Sequence, residues 1–126
     1  MTGNRMCALA LLAASAFMYA APPAMAGKFD GGWSMVAKTT RGHCGTIDIG
    51  LGVNGGRIYS TGGSFAFYAI QMRGRVSSSG QVRLNAVAGP RTAHGTGRFG
   101  RFSGNGTWAG RGPSGLCSGV WSANRS

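Results

Sequence analysis

From Thr46 to Val53 the chain alternates without a fault, with Ile47, Ile49, Leu51 and Val53 on one face and Thr46, Asp48, Gly50 and Gly52 on the other. That two-residue period is the mark of a half-buried β-strand. The same pattern sets Trp33, Met35 and Ala37 against Ser34, Val36 and Lys38. It recurs in Val82, Leu84, Ala86 and Ala88 against Gln81, Arg83, Asn85 and Val87, and in Ala93, Gly95, Gly97 and Phe99 against Thr92, His94, Thr96 and Arg98. A longer strand is expected over Phe65 to Val76, with Tyr68, Ile70, Met72, Gly74 and Val76 inward. Its other set, Phe65, Phe67, Ala69, Gln71, Arg73 and Arg75, ends in two arginines and is assigned to solvent.

Turn chemistry separates these runs. Asn54-Gly55-Gly56 is a hairpin signal returning the chain into a brief strand over Arg57 to Ser60; Ser77 to Gly80 and Gly89-Pro90 are further breaks. Gly112-Pro113-Ser114-Gly115 lies between two short apolar segments carrying Trp108 and Trp121, so Gly104 to Ser126 reads as a hairpin. Trp121 shares a face with Gly119 and Cys117, and Trp108 with Gly104, Gly106 and Gly110. Gly-x-Trp recurs at Gly31, Gly106 and Gly119, a local arrangement of indole beside glycine that is expected to pack the first and last strands together through a core of Trp33, Trp108 and Trp121. No apolar period near 3.6 persists long enough for a helix. The expected fold is all-β, a single antiparallel meander of about eight strands that hides its edges by closing into a small barrel, with a two-sheet sandwich as the alternative.

The first residues stand outside this pattern. Arg5, the apolar run Ala8 to Ala21 and the small-residue signal Ala24-Met25-Ala26 describe a signal peptide over 1–26, leaving one domain over 27–126. The apolar run falls short of the roughly 20 residues a membrane helix needs. The chain is therefore expected to be exported, to the periplasm or beyond, without a membrane span. Of 13 basic residues only Arg5 leaves with the leader, and both acids, Asp30 and Asp48, stay, so the mature domain carries +10. Cys7 leaves too, and an even pair in an oxidising compartment predicts a Cys44–Cys117 disulfide.

Two aspartates and no glutamate argue against paired-carboxylate hydrolysis. His43 and His94 match none of the usual metal-ligand spacings, and the lack of Cys-x-x-Cys-His argues against covalent haem, so no metal or cofactor is expected. The least poor catalytic group is a Cys44 thiol beside His43, but neighbours on an extended chain point to opposite sides, and a structural disulfide is the preferred reading. A non-enzymatic role follows. Arg73, Arg75, Arg83, Arg91, Arg98 and Arg101 fall on or near outward faces of neighbouring strands, with Phe65 and Phe67 interleaved, and suggest one cationic surface for an anionic partner. Nucleic acid is such a partner in principle, but an exported chain meets envelope polymers and acidic proteins.

The frame Phe29-Asp30-Gly31-x-Trp33, followed by Gly104-x-Gly106-Thr107-Trp108-x-Gly110 and Cys117-Ser118-Gly119-x-Trp121-x-Ala123-x-Arg125, resembles a group of small exported bacterial proteins of uncharacterised role. The resemblance implies export and the Cys44–Cys117 pairing, and transfers no catalytic residue. The architecture is also similar to lipocalin and avidin barrels and to small periplasmic protease inhibitors. That likeness implies that Arg125 covers the Trp33 indole. It also implies either a small-ligand barrel or an inhibitor of an exported hydrolase acting through the Thr39 to Gly45 loop.

Overall fold

Every predicted turn joins two antiparallel strands. The computed structural model describes residues 27–126, and the signal peptide assigned to 1–26 lies outside the described residues. The strands are β1 (Gly31–Arg41), β2 (Thr46–Asn54), β3 (Arg57–Gly62), β4 (Ser64–Phe65), β5 (Tyr68–Ala69), β6 (Gln71–Val76), β7 (Gln81–Ala88), β8 (Arg91–Phe99), β9 (Ser103–Gly112) and β10 (Gly115–Arg125). Eight of them close a barrel in the order β1-β10-β9-β8-β7-β6-β3-β2, while β4 and β5 form a separate hairpin. The expected closed barrel, and not the two-sheet sandwich, is therefore the form adopted. Closure runs through β1 and β10, in register from Trp33 opposite Arg125 to Thr39 opposite Gly119, with a shift before Arg41 opposite Ser118. The shortest seam joins β3 to β6 through three residue pairs.

The two ends differ in what fills them. At the base, Trp33 stacks on Phe99 with ring centroids 4.3 Å apart and 7° between planes, and Phe99 meets Trp121 edge-on at 6.1 Å. Trp33 donates from its indole N–H to the Phe29 carbonyl at 2.9 Å, and Trp121 to Thr96 at 3.2 Å. A methyl group at Gly97 or Gly106 would collide with the Trp121 ring, so glycine at these two positions admits an indole inside so small a barrel.

Arg125 seals this end from outside. Its guanidinium carbon lies 5.0 Å from the Trp33 ring centroid, and its nitrogens donate to the carbonyls of Arg101, Asp30 and Lys28 at 3.1, 2.6 and 2.5 Å. The expected cover of Trp33 by Arg125 is present. Asp30 completes the plug by accepting from the backbone amides of Gly27 and Gly55.

At the opposite end, the mouth, Cys44 is bonded to Cys117 across a sequence separation of 73, pinning the β1–β2 loop to β10. The loop itself is shorter than the expected Thr39 to Gly45, since β1 continues to Arg41.

Two expectations need correction. The strand expected over Phe65 to Val76 is broken at Ala66 and Phe67, whose φ values of 52° and 72° form a two-residue turn with both central residues left-handed. The break exchanges two residues: Tyr68 is exposed instead of buried, while Phe65 packs against the core, and Ile70, Met72 and Val76 keep the expected inward register. Left-handed geometry costs side-chain-bearing residues about 1–2 kcal/mol each. The second correction concerns position alone: Trp108 packs against the core as expected, but it is half-buried toward the mouth, opposite Gly95 and Gly119, and not beside Trp33 and Trp121 at the base.

Replacing Arg125→Lys keeps the charge but not the fork that reaches three carbonyls, and should lower unfolding free energy by about 1–2 kcal/mol in a urea titration. Converting both Cys44 and Cys117 to alanine should cost about 4 kcal/mol by loop entropy, read in the same titration.

Candidate functional site: an arginine ridge and an apolar mouth

Antiparallel register places side chains directly opposite one another on one face at about 5 Å. Arg57 on β3 is opposite Arg75 on β6, and Arg75 is opposite Arg83 on β7. Three exposed guanidinium groups thus form one outward row across three strands, about 10 Å long at normal strand spacing. The adjacent row holds Tyr59, Arg73, Asn85 and His94. Neither row contains an acid. Of the two carboxylates, Asp30 is held by amides at the base and Asp48 lies on β2 opposite Val36.

The structure brings together only part of the predicted cationic surface. Arg73, Arg75 and Arg83 are adjacent. Arg98 is exposed on β8 nearer the base, where it donates to the Ser79 carbonyl at 3.0 Å. Arg101 sits in the turn after β8, beneath Arg125. Arg91 departs furthest, because it shares the inward register of Ala93, Gly95 and Phe99 and is half-buried at the mouth with its guanidinium 5.3 Å from the Phe65 ring centroid. Phe65 and Phe67 do not interleave with the ridge: one lines the mouth and the other is fully exposed on the β4–β5 turn. The aromatic neighbour of the ridge is Tyr59.

Arg57 and Tyr59 were missed, although a signal was present. Ile58 is apolar, so alternation sends its two neighbours outward, and the Asn54-Gly55-Gly56 turn sets β3 beside β2.

Behind the mouth is a cavity of ≈ 100 Å³ with walls that include Met35, Ile49, Ile70, Met72, Leu84 and Trp108. The surface lining it is overwhelmingly apolar, with Arg91 at its rim and Arg111 just outside. The indole N–H of Trp108 is buried without an acceptor. The β4–β5 hairpin leans over this end, with Phe65 in the lining and the Tyr68 ring against Gly89 of the β7–β8 turn.

Of the groups considered for thiol chemistry, Cys44 is bonded to Cys117 and His43 is exposed in the loop. Among the described residues no three His, Cys, Asp or Glu side chains come together, and no helix is long and apolar enough to cross a membrane. Comparison with protein-family models and with curated proteins finds no match.

Like charges held directly opposite are repulsive by a few tenths to about 1 kcal/mol per pair. Arg75 takes part in both contacts of the ridge, so Arg75→Gln should raise unfolding free energy by about 0.5–1 kcal/mol at low ionic strength, with the gain vanishing in molar salt. Denaturant midpoints at the two salt concentrations measure it.

Proposed function

We propose that this protein is a non-enzymatic exported module that binds an anionic polymer along its arginine ridge. The observation carrying this reading is the run Arg57–Arg75–Arg83, in which cross-strand register holds three guanidinium groups in line with no acid between them. A protein gains nothing in stability from such a row, whereas a partner with anionic groups repeated along a chain neutralises it and uses each fork. The second row widens the contact with Arg73 and supplies the Tyr59 ring.

A linear polyanion fits better than an acidic globular protein, because the charges form a line across strands instead of a cluster around a pocket. Export accords with the leader sequence and with a disulfide that is maintained in oxidising compartments. The net charge of the mature domain adds long-range attraction that speeds encounter with any polyanion.

Binding of the purified protein to long-chain polyphosphate should weaken steeply with added salt, as counterions released on binding are restored. Arg75→Gln and Arg83→Gln should each reduce the slope of log K against log salt by about one, whereas Arg101→Gln at the base should change it little. Polyglutamate provides the arm for an acidic protein partner. Binding indifferent to salt, or unaltered by both ridge variants, would overturn the reading; tighter binding of polyglutamate would replace the polymer with an acidic protein.

A further inference from the structure

The structure assigns a second binding site at the other end of the barrel: an acyl carboxylate inserts its alkyl tail into the mouth cavity and sets its carboxylate against Arg91. Three observations converge on this occupant. The cavity walls combine aliphatic side chains, two methionines and the rings of Phe65, Trp108 and Trp121, which favour an alkyl group over a polar one. Arg91 follows the inward register of β8, so a cation is positioned at the opening of an apolar chamber, and no acid is among the lining residues. Arg111, on the outward register of β9 opposite Thr92, adds a second positive charge just outside the rim.

Size selects a chain over a ring system. The cavity volume of ≈ 100 Å³ is below the roughly 150 Å³ that encloses benzene, and at about 30 Å³ per water-sized group it takes on the order of three to four methylenes before anything moves. Met35 and Met72 are unbranched and adaptable, and extend that capacity modestly. Along β8, Arg91 to Gly95 covers roughly 13 Å of strand, so a chain of about six carbons keeps its head at the rim while about three to four terminal carbons lie in the cavity. Below Gly95 the Trp121 and Phe99 rings close the barrel.

The site is independent of the arginine ridge, which lies on the outer surface of β3, β6 and β7. Phe65 links the cavity to the β4–β5 hairpin, whose strained Ala66–Phe67 turn holds that ring beneath the Arg91 guanidinium.

The test is a calorimetric length series of butanoate, hexanoate, octanoate and decanoate, each below its micelle-forming concentration, on the unaltered protein. Affinity should rise about fourfold per added methylene, then level off at about six carbons, where the cavity fills. The matching alcohols should bind at least tenfold more weakly, and Arg91→Met should remove that difference while leaving alcohol binding and polyphosphate binding unchanged. Ala86→Phe, which fills the chamber, should abolish binding of both.

Absence of carboxylate binding up to millimolar concentration would overturn the assignment. So would affinity that climbs through decanoate without a break, the signature of surface partitioning, or alcohols that bind as tightly as acids. The length series and the comparison of acids with alcohols both use the unaltered protein, so the assignment stays open to refutation even if a substituted chain fails to fold.

Discussion

The stacked Trp33–Phe99 pair, with Trp121 set edge-on against it, is the constraint from which the rest of the barrel follows. These residues come from β1, β8 and β10, so packing them together brings the first and last strands side by side and leaves the sheet with no free edge there. Glycine at 97 and 106 makes room for one indole, and Arg125 covers the other while satisfying the carbonyls of Arg101, Asp30 and Lys28. The three packed rings fill the base. Toward the mouth Trp108 and aliphatic side chains are interspersed with small inward residues, among them Ala37, Ala86, Ala93, Gly95 and Gly110, and the space these leave is the cavity. A plugged end and a hollow end are therefore two consequences of one distribution of side-chain volume along the barrel.

Charge is distributed with the same asymmetry. Inside, apolar residues from every barrel strand meet; outside, the β3–β6–β7 wall carries arginines opposed across the strands. This inverts the pattern of a barrel that crosses lipid, where the outer band is apolar. The wall bearing the ridge is also the one with the shortest seam, three pairs between β3 and β6. Repulsion and sparse hydrogen bonding coincide there, on the side away from the disulfide and the β1–β10 closure. An anion seated across β3, β6 and β7 would bridge that seam, coupling occupancy of the ridge to local stability.

Much of the architecture was legible in the sequence because period-2 alternation is a local property. Ile47 to Val53, Val82 to Ala88 and Ala93 to Phe99 needed no tertiary information to be placed inside. The errors arose where local counting met a feature without a composition signal. Ala66 and Phe67 adopt left-handed turn geometry that usually selects asparagine or glycine, so nothing in the residue types announced the break or the exchange of Tyr68 for Phe65 in the interior. Arg91 is a different case: the alternation that put Ala93 inside also put Arg91 there, and reading its charge as a guarantee of exposure overrode the register. The ridge was half legible, since Arg75 and Arg83 lie on consecutive strands, but the opposition of Arg57 depends on β3 pairing with β6 across the β4–β5 hairpin. That pairing is a property of the closed barrel and not of any segment.

Amide hydrogen exchange resolved by residue would test most directly whether the aromatic base holds the barrel shut. The slowest amides should belong to the base-proximal halves of β1 and β10, around Trp33, Met35, Trp121 and Ala123, and to β8 near Phe99, with the β3–β6 seam opening first. Fast exchange along β1 and β10 beside a protected β3–β6 seam would contradict it, placing the stable nucleus elsewhere and removing the reason for the barrel to be closed at one end and hollow at the other.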